Sequence, residues 1–474
     1  MDTKKLRQKI LDLAIRGKLV PQNPNDEPAS ALLGRIRAEK EHLIKEGKIK
    51  RSKKSASDKH HYENEAPFEL PENWEWTTIN DICSKIGSGS TPRGSNYAEI
   101  GIPFFRSQNV YNDGLVYDDI KYISDEVHES MIGTEVQAED LLLNITGGSL
   151  GRCAIVPSDF PKGNVSQHVC ILRTIVVLPA YLHLFIISDY FASTMILSGS
   201  GREGLPKYSL EIMQFPLPPL TEQHRIVAAV EKWFSLIDKI EIEKEDLQTS
   251  ITQAKSKILE LAIHGKLVPQ DLNDEPAIDL LKRINPKFVP CDNAHDNNQL
   301  PDSWCWTTLG SIFQHNTGKA LNKSDSQEGQ LKPYLTTSNV YWNCFDFTEV
   351  KEMFFKDSEL EKCTITKGDL LVCEGGDIGR ASIWNYDYDI CIQNHIHRLR
   401  TKGDICQILY LYILMLYKWK NRIRGKGIGL QGLSSGLLDK LVVPLPPYNE
   451  QLRIVTKIEE LFAVLDEIQK SIEA

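Results

Sequence analysis

The stretch "ILDLAIRGKLVPQNPNDEPASALLGRI", Ile10 to Ile36, returns without a gap as "ILELAIHGKLVPQDLNDEPAIDLLKRI", Ile258 to Ile284. A match of that length within one chain is a duplication, and a duplication has to be settled before any fold is assigned. Further pairs fall into register around it. "LPENWEWTTI" (70–79) returns as "LPDSWCWTTL" (300–309), and "RSQNVY" (106–111) as "TTSNVY" (336–341). "GGSLGR" (147–152) returns as "GGDIGR" (375–380), and "PLPPLTEQHRIV" (216–227) as "PLPPYNEQLRIV" (444–455). These copies lie about 230 residues apart, too far for a solenoid repeat, so the unit duplicated is a whole domain.

Each copy is a variable globular part bracketed by "LP..W.W" and "PLPP", followed by a helical part. After the first "PLPP", Ile226, Val230, Trp233, Ile237, Ile240, Leu247, Ile251, Ala254, Ile258 and Leu261 recur in steps of four and three, interrupted only at Lys244. That is the apolar seam of a coiled coil. Gly265 and Pro269 end the helix, and Pro276 opens a short one. After the second "PLPP" the seam repeats in Ile454, Ile458, Leu461, Leu465, Ile468 and Ile472 and then stops at the end of the chain. The missing half stands at the other end, as Leu6, Ile10 and Leu13 followed by "GKLVP". The second repeat is therefore circularly permuted. The expected fold is α/β (α+β): two similar globular domains joined by long antiparallel coiled-coil helices, pseudo-twofold, in a permuted tandem repeat. The expected division is 1–66 (N-terminal helix and linker, completing the second helical repeat), 67–218 (first domain) and 219–292 (central long helix and short helix). It continues with 293–446 (second domain) and 447–474 (a C-terminal helix pairing with the N-terminal segment).

With 474 residues, 41% hydrophobic and 25% charged, the composition is globular. No apolar run approaches the roughly 20 residues of a membrane span, and the charged N-terminus does not read as a signal peptide. Ten cysteines without a CxxC pair read as reduced, buried residues of a cytoplasmic protein.

Brackets of "LP..W.W" and "PLPP..EQ.RIV" around two variable domains, with heptad helices ending "A..GKLVPQ", resemble the specificity (S) subunit of type I restriction–modification systems over essentially the whole chain. The resemblance implies a non-catalytic subunit with two target-recognition domains that read a bipartite, asymmetric sequence in double-stranded DNA. It implies partners as well: two methyltransferase (M) subunits docked on the helices, and restriction (R) subunits. S-adenosylmethionine, ATP and Mg2+ belong to those partners, so no cofactor, catalytic residue or metal is expected in this chain. A coiled-coil protein-interaction scaffold is the alternative.

Enzymatic motifs fail on context. "GSGREG" (199–204) follows an apolar helix and not a strand, so it lacks the setting of a dinucleotide loop. "LPPY" (445–448) has Leu445 where an amino-methyltransferase needs a polar residue, and no Walker A loop occurs. His395 and His397 fall short of a zinc ligand set and read as structural histidines of a central strand, matched by His168 and Cys170.

The DNA-contact candidates lie on equivalent loops. Arg93, Lys319 and Lys323 suit phosphates or guanine edges. Arg106, Gln108 and Asn109 align with Thr336, Ser338 and Asn339, and such variation is what two different half-sites demand. Turn formation explains the recurring asparagines equally well. Arg152 and Arg380 follow paired glycines, and Arg424 and Lys426 belong to the basic run "KWKNRIRGKGIG" (418–429). The segment 45–67 reads as a solvated linker. The net charge of −9 is unusual for a DNA reader: region 70–215 holds 9 Lys+Arg against 17 Asp+Glu, and 300–443 holds 17 against 16.

Overall fold

The computed structural model describes residues 2–49, 67–92, 94, 97–198, 204–286, 288, 300–321, 328–424 and 432–473. They divide into two units, Asp2–Glu243 and Lys244–Ala474.

The first unit opens with helix α1 (Thr3–Ile15), capped by Asp2, whose carboxylate accepts the Lys5 amide at 3.0 Å. It ends at Gly17 with φ +67°, where the Lys18 amide bonds back to the Leu13 carbonyl at 2.8 Å. That backward bond is a Schellman closure, which needs a left-handed residue. Helix α2 (Ala29–Lys45) follows. Leu11, Ala14, Leu32 and Ile36 are buried in one core with Trp74, Tyr181, Phe185 and Phe215 of the first domain. Within that domain an antiparallel sheet runs in the order Cys83–Ser88, Val169–Thr174, Leu141–Asn144, Cys153–Ile155. Leu141–Asn144 is buried at every position, as a central strand covered on both faces requires. A second sheet, in the order Lys121–Ile123, Ile102–Phe105, Gly163–Val165, Glu135–Val136, contains one parallel pair. Entry and exit are tied together: Glu75–Thr78 pairs antiparallel with Gln214–Leu217, Trp76 opposite Pro216. This is why "W.W" and "PLPP" bracket the domain.

Helix α3 (Leu220–Ile263) is 44 residues long, about 66 Å at 1.5 Å per residue. Its residues up to Glu243 belong to the first unit and the rest to the second. The second unit adds α4 (Ala277–Ile284) and α5 (Tyr448–Glu473). Its domain repeats the first, with Cys305–Thr308 paired to Val442–Leu445 and a sheet ordered Phe313–Thr317, Ile396–Thr401, Leu370–Cys373, Ala381–Ile383.

Inside each unit the helical segments run antiparallel. Arg7 pairs with Asp238 and Glu241, while Gln22 and Asp26, further along the chain, reach Glu222 and Arg225. In the second unit Lys255 pairs with Asp466, while Gln270 and Asp274 reach Glu450 and Arg453. Each of these pairings lies within one unit. The lateral partner of α5 is the second half of α3, and that of α1 is the first half. The reason is the permutation itself: in each unit the segment carrying "GKLVPQ" lies against the helix carrying "EQ.RIV".

The apolar seam is occupied unevenly. Ile226, Val230, Ile237, Ile251, Ile454 and Ile458 are buried, and Ile240, Ile258, Leu461 and Leu465 are half-buried. Trp233 and Ile468, expected in the seam, are 49% and 42% exposed. Heptad spacing identified them as apolar, but their own unit covers them only in part. The nine described cysteines are all thiols outside any disulfide, and Cys344 is exposed where burial was expected. Among the described residues, no helix is long and apolar enough to cross a membrane.

Candidate nucleic-acid interface

The repeated motifs meet at one joint per unit. In the first, Glu222 at the start of α3 is buried and accepts from Trp74 Nε1 at 3.0 Å and Gln22 Nε2 at 2.7 Å. Arg225, one turn on, pairs with Asp26 at 2.5 Å. Gln223 donates to the Pro218 carbonyl at 3.0 Å and accepts the Leu178 amide at 2.9 Å. The second unit repeats every contact. Trp304 and Gln270 bond Glu450 at 2.9 and 2.5 Å, Arg453 pairs with Asp274 at 2.7 Å, and Gln451 joins Pro446 to Cys406 at 2.9 Å each. Burial pushes Glu222 and Glu450 above the usual carboxylate range, against the pull of the Trp and Gln donors. The Arg225 and Arg453 hydrogen bonds hold Asp26 and Asp274 below it. "EQ.R" thus fixes each domain to its helices.

A rim of loops is built twice over. In the first domain a 3-10 turn, Ser107–Asn109, follows Ile102–Phe105. The Asn109 side chain is buried, accepts the Arg106 amide at 3.1 Å and donates to Val116 and Asp118 carbonyls at 3.0 and 3.3 Å. Asn339 repeats this with Thr336, Asp346 and Glu349 at 2.8, 2.9 and 2.9 Å. Both asparagines therefore form turns, with oxygen and nitrogen of each carboxamide bonded inside the loop. Their neighbours Gln108 and Ser338 are exposed at matching positions.

Arg152 and Arg380 leave tight glycine turns, with Gly151 at φ +85° and Gly379 at φ +81°. Each guanidinium lies over a tyrosine ring, Arg152 on Tyr111 at 4.7 Å and Arg380 on Tyr341 at 4.4 Å. Arg380 also donates to the Thr337 carbonyl at 2.5 Å, and Arg106 to the Asp119 carbonyl at 2.6 Å. The two tyrosines are 39% and 41% exposed. A cation held on an aromatic face is restrained in its orientation. These tyrosines were missed in the sequence, although both end the repeated "NVY".

The Lys319 side chain is 9% exposed, and its Nζ donates to Glu359 at 3.0 Å and the Phe354 carbonyl at 2.8 Å. Arg424 is exposed, with Nε on the Asn421 carbonyl at 3.1 Å. Arg93, Lys323 and Lys426 lie outside the described residues. The histidine reading also changes. His395 is exposed just before its strand, 3.4 Å from Glu374, and His168 is exposed 2.8 Å from Thr146. His397 alone is buried in the strand.

Two domains of one design, each clamped at its base and carrying an arginine–tyrosine rim, define a tandem DNA-specificity architecture. The sequence matches the type I restriction modification DNA specificity domain over residues 71–253 and 301–474, and the chain belongs to that family. It is a specificity subunit with two target-recognition domains, the non-catalytic part of such a system. It is similar to the type I restriction enzyme EcoAI specificity subunit of Escherichia coli, 28% identical over 98% of this chain and 90% of that protein. It is likewise similar to the EcoEI specificity subunit of the same species, 25% identical over 99% and 91%. The fold resembles the HsdS subunit from Thermoanaerobacter tengcongensis, with TM-score 0.53 and 19% identity over 85% of this chain and 94% of that one. A chain from a type I R-M system solved for its complex assembly and conformational transition gives TM-score 0.60 at 18% identity, over 86% and 94%.

Proposed function

We propose that this chain supplies the DNA target of a type I restriction–modification complex, each domain reading one half of a bipartite, asymmetric duplex sequence. The helices dock two methyltransferase subunits, and restriction subunits join the assembly; S-adenosylmethionine, ATP and Mg2+ belong to those partners. The observation that carries this reading is the doubled rim. Its constant parts, the arginine–tyrosine stacks, suit the sequence-independent phosphate backbone. Its outward positions differ between domains: exposed Gln108 against Ser338, half-buried Arg106 against Thr336, and half-buried Thr146 against Glu374 beside the two exposed histidines. Such differences suit base edges of two unlike half-sites. The acidic first domain fits a subunit whose partners contribute positive surface around the duplex.

The test exchanges residues 67–218 for the same region of a relative and maps methylated adenines in cells carrying the whole system. One half of the methylated sequence should change. A change in both halves, or in neither, sinks modular reading. Salt-insensitive behaviour toward duplex DNA by the assembled complex would favour a protein scaffold instead.

A further inference from the structure

The second domain contains a buried chain of hydrogen bonds for which the first has no counterpart. His315, in Phe313–Thr317, and His397, in the paired strand Ile396–Thr401, sit with ring centres 4.9 Å apart. His315 Nδ1 is 2.7 Å from Asp439 Oδ1, His315 Nε2 is 2.9 Å from His397 Nδ1, and His397 Nε2 is 2.7 Å from the Leu433 carbonyl oxygen. His397 is fully buried and the His315 side chain is 8% exposed. At the matching positions the first domain has Lys85, bonded to the Glu135 carbonyl, and Cys170. The fold itself therefore does not require the pair.

Proton counting gives the chain a definite charge. A carbonyl only accepts, so His397 Nε2 carries a hydrogen. The Asp439 carboxylate accepts, so His315 Nδ1 carries one. The bond between the rings needs a third. Two neutral imidazoles bring only two, so the intact chain holds one extra proton, balanced by Asp439. Burial pushes His397 down; the Leu433 carbonyl opposes, His315 adds to the fall, and Glu374 and Asp439 oppose it. The one carboxylate in the chain, Asp439, lies at the His315 end, and the carbonyl of Leu433 at the His397 end. Without the proton, two ring nitrogens face each other lone pair to lone pair, and one bond must break.

What the chain holds is the rim. The Leu433 amide donates to the Glu374 carbonyl at 2.9 Å, and the Glu374 side chain faces exposed His395 at 3.4 Å. We propose that His315 and His397 are positioning residues that hold Leu433, and through it Glu374 and His395, only while the pair carries one shared proton. Its consequence for DNA rests on the function proposed above. The sign follows from the count: the arrangement is complete at low pH and is lost as pH rises through imidazole titration, about pH 5 to 8.

The test uses the full chain and the double variant His315→Lys/His397→Gln. There the introduced ammonium would donate to Asp439 and to the introduced carboxamide oxygen, and the carboxamide N–H to Leu433, so all three bonds persist with nothing that titrates. Hydrogen exchange in 432–438, corrected for intrinsic rates, should lose about tenfold protection in the wild type as pH rises from 5.5 to 8.5, the scale of one charge-assisted bond. The variant should stay flat. A flat wild type, or equal slopes in both, overturns the proposal. If the variant does not fold, histidine 15N shifts of the wild type decide it: no proton uptake by this pair between pH 8.5 and 5.5 overturns it, and uptake by the pair supports it. With exchange as expected, target affinity of the assembled complex should fall with pH in the wild type only. Parallel profiles overturn the positioning role, whereas a complex that binds no DNA at any pH sinks the functional reading and leaves the exchange result standing.

Discussion

Trp74 donates its indole N–H to Glu222 at 3.0 Å, and Trp304 donates to Glu450 at 2.9 Å, tying each domain's entry to the helix after its exit. The carboxylates are buried, so a lost donor is not replaced by water. Trp74→Phe keeps the ring's apolar area and removes only the donor, and should cost about 1–3 kcal/mol. Trp74→Ala should cost about 3–5 kcal/mol by adding a cavity. Urea unfolding followed by circular dichroism measures both, with Trp304→Phe as the same change in the other unit. A Trp74→Phe protein as stable as wild type would show that the indole bond contributes nothing.

The joint shows how far the sequence can be read. Repetition of "EQ.R", "W.W" and "GKLVPQ..NDEPA" marked those residues, but their meeting depends on contacts between positions such as 22 and 222, which no local pattern records. The rim shows the opposite limit. Gln108 and Asn109 are adjacent polar loop residues, and only the 3-10 turn decides that one faces out and the other in. Lys319 and Arg424 read alike in the sequence for the same reason, since the Lys319 partner Glu359 is 40 residues away. Heptad spacing likewise placed Trp233 in a seam, because spacing counts apolar residues without showing which of them a neighbour covers.

Gly17 and Gly265 separate conformation from space. Both are left-handed, φ +67° and +64°, and an added Cβ would lie 2.4 Å from Pro71 Cγ and 2.3 Å from Pro301 Cγ. Gly17→Ala and Gly265→Ala should each cost more than the roughly 1 kcal/mol of backbone strain alone. Gly34, inside α2 with nothing within 4 Å of its Cβ position, is the control. Gly34→Ala should stabilise by about 0.5–1 kcal/mol. Thermal midpoints of the three variants should therefore move in opposite directions; a common direction refutes the argument.

Arg152 and Arg380 should behave as backbone contacts. Replacing either by alanine in the assembled complex should weaken binding to cognate and non-cognate duplexes by similar factors. The slope of log affinity against log salt should fall by about one for each. Gln108→Ser should instead alter base preference in one half-site and leave the salt slope unchanged. Titrations at several salt concentrations separate the two, and an Arg152→Ala complex that discriminates sequences differently would assign that arginine to base reading.

The helices carry apolar side chains that their own units cover only in part: Trp233, Leu236 and Ile242 on the first half of α3, and Leu452, Val464 and Ile468 on α5. Large exposed apolar side chains are candidates for contact with a partner, and Trp is among the residues enriched in binding hot spots. The set Trp233→Gln, Leu236→Gln and Ile242→Gln swaps in good helix formers at exposed positions, so the isolated chain should keep its thermal midpoint. Ile237→Gln, one residue from Leu236 but buried, should lower it by several degrees. The triple variant should fail to form a stable complex with the cognate methyltransferase in size-exclusion chromatography, where wild type and a Lys239→Gln surface control succeed. If the triple variant assembles normally, the methyltransferase docks elsewhere; if it unfolds like Ile237→Gln, these side chains belong to the core of the helical pair and not to an interface.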